Sequence, residues 1–291
     1  MDIRRVGVVG LGNMGLPMAE TLMRAGFEVL GTDLHPDRQA LAEAAGVGTT
    51  SLAELLREVD AVVSSLPHGR DVEAVLTARD ALLARRDRRV IVVDTSTADP
   101  GTSRRLAALL GEAGHGHLDA PVSGGPPGAA AGQLTAMVGG ADADVAAGRP
   151  VLEALASRVI HVGPSGAGNV AKLVNNMLVA AHMLTTAEAV RLAEAAGVGA
   201  DAVLRVVNAA TGRSAVSEVH FPRWVLPGLD SGFSAGLMRK DASLAAALAD
   251  EAGVDLPMAR AALQLWLDAR AAVPDNADFT RMAGHHGRSA P

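Results

Sequence analysis

A short buried-type strand that runs directly into three spaced glycines constrains this chain more than any other feature. Val6-Gly7-Val8-Val9 is a continuous apolar run, the mark of a strand covered on both faces. It passes into Gly10-Leu11-Gly12-Asn13-Met14-Gly15. Helical spacing follows from Leu16 to Ala25 and stops at Gly26, and a second strand, Glu28 to Thr32, ends at Asp33. Strand, glycine turn, helix and strand make a βαβ unit with an acid at the end of its second strand. Each part has a task in binding a dinucleotide. Gly10 allows the tight turn, Gly12 lets the backbone approach a pyrophosphate, and Gly15 lets the helix pack closely. Leu11, Asn13 and Met14 carry the intervening amides, and the helix start offers unpaired N–H groups to phosphate. Asp33 suits a ribose 2′-hydroxyl and repels a 2′-phosphate, which favours NAD over NADP. His35 and Arg38 nearby soften that exclusion, so NADP stays possible, and Asp33 alternatively reads as a turn residue before His35-Pro36.

The alternation continues with a helix near Pro36–Ala45, a short strand near Gly48, a helix over Leu52–Glu58 and a strand over Ala61–Ser65. A helix over Asp71–Leu76 and a buried strand over Val90–Asp94 follow. Ligands of open α/β sheets sit beyond the carboxyl ends of the strands, which makes Leu66, Pro67 and Thr97 candidate cofactor contacts. Ser96 and Thr97 have a second reading as caps for the helix that Pro100 begins. Farther on, the strand at His117 ends in Asp119-Ala120-Pro121-Val122-Ser123-Gly124-Gly125-Pro126-Pro127. Ser123, Gly124 and Gly125 bring a hydroxyl and main-chain amides together, a combination that binds a carboxylate; the alternative is a plain Gly/Pro turn. Strands over Leu134–Val138 and Arg158–Val162 complete the sheet.

At Gly163 the period changes. Helical spacing covers about 169–196, 200–210, 214–225, 235–252 and 257–272. The expected organisation is therefore a Rossmann-type dinucleotide-binding domain, 1–163, followed by an all-α domain, 164–291, joined by a long helix. That helix is long enough to contribute to a subunit interface. Residues 284–291 read as a disordered tail.

Composition removes several function classes. A net charge of −6 without a basic run gives no footprint for nucleic acid. The absence of cysteine excludes disulfides and thiolate metal sites and fits a reducing compartment. The long helix is interrupted by Lys172, Asn175, Asn176 and His182, so it is no membrane span. The first strand begins too early to leave room for a signal peptide, and a cytoplasmic location is expected. His115/His117 and His285/His286 are close histidine pairs, read as a loop pair and a tail pair rather than ligands; no metal is expected.

Lysine is the rarest charged residue here. Of 26 basic residues only Lys172 and Lys240 are lysines. Lys172 lies just inside the long helix, between Val170-Ala171 and Leu173-Val174, and a positive helix end with apolar flanks favours a neutral amine. Arginine cannot release its proton in this way. Asn176, four residues on, shares the lysine's helix face. The competing reading is a lysine on an ordinary amphipathic surface.

These segments together resemble the β-hydroxyacid dehydrogenases, the 3-hydroxyisobutyrate dehydrogenase group, over nearly the whole chain. Gly10–Ala19 resembles the family's cofactor signature and Asp119–Gly125 its substrate loop. Gly166-Ala167-Gly168 with Lys172 and Asn176 is similar to its catalytic segment. Lys240-Asp241, preceded by Phe233 and Leu237-Met238, is similar to a later cofactor and substrate motif. The resemblance implies NAD(P)-dependent oxidation of a small β-hydroxyacid to a semialdehyde, or the reverse. It gives Lys172 the hydroxyl proton, Asn176 and Phe233 the substrate, Ser123–Gly125 the carboxylate and Lys240 the cofactor. It also implies a homodimer or homotetramer. Two departures stand out. Glu20-Thr21 replaces a pattern that more often has an asparagine nearby, read as a surface difference. Thr211-Gly212-Arg213-Ser214 does not match cleanly, and Arg213 reads as a surface charge. Imine reductases resemble this fold but usually lack the lysine, and a non-catalytic cofactor-binding oligomer is the rival from another class.

Overall fold

The computed structural model describes residues 2–78, 82–85 and 87–285. The chain forms two compact units that divide between Lys172 and Leu173.

The first unit is built on strands β1 (Arg5–Val9), β2 (Glu28–Thr32), β3 (Gly48–Thr49), β4 (Ala61–Ser64), β5 (Ile91–Asp94), β6 (Gly116–Asp119), β7 (Val122–Ser123), β8 (Leu134–Gly139) and β9 (Ala156–Gly163). Their order is β3-β2-β1-β4-β5-β6-β8-β7, with β9 on the other side of β8. The first six strands pair in parallel. β8 then runs antiparallel to β6 and β7. The order reverses between β1 and β4, and the loops that follow these two strands form the crevice where a doubly wound sheet takes its ligand.

Among the described residues the α-helices between the strands are α1 (Gly15–Arg24), α2 (Pro36–Ala44), α3 (Leu52–Glu58), α4 (Gly69–Leu76), α5 (Pro100–Glu112), α6 (Gly125–Ala131) and α7 (Asp142–Leu155). Successive strand side chains point to opposite faces, and the core divides accordingly. Val6, Val8, Val63 and Val93 pack with Met18 and Leu22 of α1 and Val151 and Leu152 of α7. Val9, Val62 and Val92 pack with Leu55 and Leu56 of α3, Val72 of α4 and Leu106 and Leu110 of α5. Burying each such side chain contributes about 1.5–3 kcal/mol, which holds helices on both faces of the sheet.

Helix α3 begins with a reciprocal cap, Ser51 Oγ accepting from Glu54 N while the Glu54 carboxylate accepts from Ser51 N. At α5 the cap is Asp99, whose carboxylate accepts from Thr102 N at 2.8 Å. This overturns the capping alternative for Ser96 and Thr97, because Asp99 stands immediately before Pro100 and takes the position.

The second unit holds most of α8 (Ala167–Ala195) and all of α9 (Ala200–Ala209), α10 (Ala235–Ala252), α11 (Pro257–Asp268) and α12 (Arg281–His285), with a π-helical segment over Val216–Val225. Helix α8 is continuous across the division, and its first turns belong to the sheet unit. Trp266 is fully buried and donates from Nε1 to Ala180 O at 3.1 Å. Buried Arg239 donates to the carbonyls of Trp266 and Val273 and to the Asp275 carboxylate. A buried guanidinium needs such partners, and these three tie α10 to the end of α11 and the segment beyond it.

The chain end differs from expectation. Gly284 and His285 close helix α12, where Met282 and Ala283 are buried against the helical core. His286 and the rest of the expected tail lie outside the described residues. No helix among the described residues is long and apolar enough to cross a membrane.

Candidate active site

The glycine turn after β1 shows what each glycine is for. Gly10 has φ +90°, and a Cβ there would lie 2.4 Å from the Ser65 carbonyl oxygen. Only glycine lets the turn pass so close to the loop after β4. A Cβ on Gly15 would lie 1.7 Å from Gly10 O, so α1 seats on the turn itself. Gly12 is different: a Cβ there would meet no protein atom within 4 Å. Packing does not require that glycine, whereas the close approach of a pyrophosphate does. The cradle fits a dinucleotide.

The intervening residues divide their tasks. Leu11 is fully buried and packs its side chain in the core, so it offers a ligand no side-chain surface. Its amide donates to Asp33 Oδ2 at 2.7 Å, and Asp33 Oδ1 accepts from His35 N at 2.9 Å. The acid is thus both a turn residue and a brace for the glycine loop, held at the end of β2. Asn13 is exposed and Met14 half-buried at the start of α1.

Leu66, Pro67 and Thr97 follow the carboxyl ends of β4 and β5, as the sheet argument requires. A buried network fixes these two loops together. Asp94 Oδ1 accepts from Ser64 Oγ at 2.7 Å and from Ser96 N at 3.0 Å, while Ser96 Oγ accepts from Leu66 N at 2.9 Å. Burial pushes the Asp94 carboxyl up to about 6, against the hydrogen bonds from Ser64 and Ser96 and with a further push from Asp119.

Ser123 closes β7, paired with Thr135 of β8, and Gly124 and Gly125 follow with φ +131° and +63°. Pro126 and Pro127 lack amide hydrogens. The Ser123 amide belongs to the β7–β8 ladder, so the donors this loop offers are the Ser123 hydroxyl and the amides of Gly124 and Gly125. Lys172, on α8, brings its amine to the same loop: Nζ donates to Val122 O at 2.8 Å. The amine of Lys172 thus reaches the residue next to Ser123, across 50 residues of sequence within the sheet unit.

The remaining candidates lie in the helical unit. Asn176 Nδ2 donates to Asp241 Oδ2 at 2.6 Å, and Asn175 Nδ2 donates to Asn176 Oδ1 at 3.0 Å. Lys240 Nζ stands 3.2 Å from Asp241 Oδ1. Asp241 therefore gathers Asn176 and Lys240. Phe233 does not join them by any such bond; its ring packs edge-on against Phe279. The loop before it is held by Asp278, which accepts from Ser231 and Gly232 amides at 2.8 Å each.

Two sequence readings need correction. Thr21 is no surface residue: it is 6% exposed, and its hydroxyl donates to Ala129 O at 2.7 Å, tying α1 to α6. His115 and His117 are not a loop pair. His115 lies buried just before β6 with Nδ1 accepting from Val90 N and Nε2 against Leu82 O, and His117 is buried within the strand. Arg213 is exposed.

Sequence spacing does not mark Asp119 or Asn169 as tethers of α8, yet the structure gives both that place. Asp119 accepts from Gly166 N at 2.7 Å and Asn169 N at 3.0 Å, capping α8 across 47 and 50 residues of sequence. A single acid at a strand end before Ala120-Pro121 was the available signal.

A six-strand parallel core with this glycine cradle defines a dinucleotide-binding fold. Known proteins refine that class. Residues 5–163 match the NAD binding domain of 6-phosphogluconate dehydrogenase, and residues 166–285 match the NAD-binding domain of NADP-dependent 3-hydroxyisobutyrate dehydrogenase. The chain is 37% identical over 275 residues to an NAD-dependent L-serine dehydrogenase of Pseudomonas aeruginosa, covering 91% of each. The 3-hydroxyisobutyrate dehydrogenase of Mycobacterium tuberculosis, solved with L-serine, superposes with a TM-score of 0.89 at 35% identity, covering 99% of this chain and 100% of that one. The chain belongs to the β-hydroxyacid dehydrogenase family and is by class an NAD(P)-dependent hydroxyacid dehydrogenase. A Streptomyces aurantiacus imine reductase, at 22% identity and a TM-score of 0.65, shares the fold alone.

Proposed function

We propose that this protein oxidises the hydroxyl carbon of a small β-hydroxyacid to the semialdehyde, or runs the reverse reaction, with Lys172 exchanging the hydroxyl proton. The observation that carries this reading is the 2.8 Å contact of Lys172 Nζ with Val122 O, beside Ser123. A β-hydroxyacid carries its hydroxyl close to its carboxylate. A carboxylate held by the Ser123 hydroxyl and the Gly124 and Gly125 amides would therefore place the hydroxyl within reach of the amine. In oxidation the hydroxyl proton passes to neutral Nζ as the C–H electron pair leaves; in reduction the ammonium returns it. A bound nicotinamide ring supplies the hydride acceptor or donor. Asn176 and Phe233 are the further substrate-facing candidates and Lys240 the further cofactor-facing one, as the family resemblance implies. The same resemblance supports a homodimer or homotetramer, which light scattering would test.

A panel of 3-hydroxyisobutyrate, serine, tartronate semialdehyde and succinic semialdehyde, run with both cofactors and followed by NADH absorbance, tests the reaction. Turnover of at least one member is expected. NADH binding without turnover of any member would favour the non-catalytic reading instead.

NAD is the preferred cofactor in this proposal, because a 2′-phosphate at Asp33 would face a fixed carboxylate. Asp33→Ala should lower the NAD-over-NADP ratio of kcat/KM at least about tenfold, or about 1.4 kcal/mol. It should also raise the KM for NAD, because the Leu11 amide loses its brace. A wild type that prefers NADP would defeat the argument.

A further inference from the structure

We infer that Asn169 is a positioning residue for Lys172, fixing the first turn of α8 to the loop that carries Thr97; the inference rests on the role proposed above for Lys172. Asn169 is fully buried, an unusual place for a primary amide unless its polar groups are paired. All three of the groups that could tether it are paired, each to a different part of the sheet unit. Its Oδ1 accepts from Ala98 N at 3.0 Å, its Nδ2 donates to Ser103 Oγ at 2.9 Å, and its main-chain amide donates to Asp119 Oδ2 at 3.0 Å.

The partners explain what the tether does. Ala98 directly follows Thr97, and the same loop is fixed at Ser96 by Asp94 and to the loop after β4 through Leu66 N. Hydrogen bonds thus run from the loops that face the cofactor site, through Ala98 and Asn169, into the helix turn that bears Lys172. Asp119 holds the other side of that turn through Gly166 N and Asn169 N. The seating is close, since a Cβ on Gly168 would lie 2.3 Å from Asp119 O. Lys172 stands three residues after Asn169, so a tilt of this turn is carried along the long lysine side chain to Nζ. A misplacement of about 1 Å at a reacting group costs up to about a hundredfold in rate.

A residue that only stabilised the fold would weaken cofactor binding and turnover together. A positioning residue lowers kcat selectively. Asn169→Ala is therefore expected to lower kcat by about ten- to a hundredfold, with the KM for NAD and the NADH dissociation constant within about threefold of wild type. Amide hydrogen exchange should quicken in residues 166–173 and stay unchanged in 10–24. Ser103→Ala, which unpairs Nδ2 and leaves the bonds to Ala98 and Asp119, should give a smaller loss with the same selectivity, and it decides the matter if Asn169→Ala does not fold. Unchanged kcat and exchange, or parallel losses of kcat and NADH binding, would overturn the inference. If wild-type protein turns over no panel member, the proposed function fails on its own, and exchange alone judges Asn169: quickened exchange in 166–173 keeps the tether, and unchanged exchange removes it.

Discussion

Lys172→Ala is expected to lower kcat by about 10²–10⁴-fold, the usual contribution of a general acid or base, while NADH still binds in a fluorescence titration. The lysine amine contacts Val122 O beside Ser123, and the glycine cradle that would hold the dinucleotide is assembled from other residues, so chemistry and cofactor binding should separate. Lys172→Arg should be nearly as impaired. A guanidinium keeps a positive charge but does not release its proton, so an effect of charge alone would be restored by arginine and proton exchange would not. Near-normal kcat in the alanine variant, measured at saturating cofactor and substrate, would remove Lys172 from the mechanism.

His117→Leu is expected to stabilise the protein, and more so in acid. His117 is 2% exposed, and neither ring nitrogen has a hydrogen-bond partner among the described residues. An unpaired buried polar group costs about 1–3 kcal/mol. Burial also holds the ring's pKa down to about 4. The unfolded ring titrates near 6.5, so below that pH the unfolded chain binds a proton that the folded chain refuses. The stability at stake is complete above about 6.5 and is lost as pH falls towards 4, by about 3 kcal/mol. Asp94 works in the opposite sense. Its folded value of about 6 lies above the ordinary 3.8, so its contribution is present at low pH and is lost as pH rises through about 6. Between about pH 4 and 6 the two trends oppose each other, and the wild type should show a shallow dependence there. Thermal melts across pH 4–8 should separate them: His117→Leu gains most at the acid end and Asp94→Asn at the alkaline end. Curves that run parallel to wild type would rule out both assignments.

The parts of this molecule that were legible in the sequence are those governed by neighbours along the chain. The strand at Val6, the glycine turn and the helix to Arg24 each depend on residues a few positions apart, and Glu28–Thr32 follows the same logic. Lys172 could be singled out because its flanks and its place after Gly168 are local. Thr21, Asp119 and Asn169 were illegible for the opposite reason. Thr21 reaches Ala129, Asp119 reaches Gly166, and Asn169 reaches Ala98 and Ser103, each across a long stretch of chain. For Thr21 and Asn169 nothing nearby in the sequence distinguishes a buried tether from a surface polar residue, and for Asp119 the one local signal is its place at a strand end. The last short element escaped for a related reason. Helix α12 owes its place to burial of Met282 and Ala283 rather than to helical spacing.

Both lysine amines of this chain are sheltered, one against Val122 O and the other beside Asp241. Amine-directed acylation therefore meets no readily accessible lysine side chain, although the protein carries a full complement of surface charge as arginine. Slow modification of Lys172 would act as a reporter of the start of α8 rather than of the surface. Immobilisation or tagging through lysine would in turn fall on one of two positions, Lys172 on α8 or Lys240 on α10.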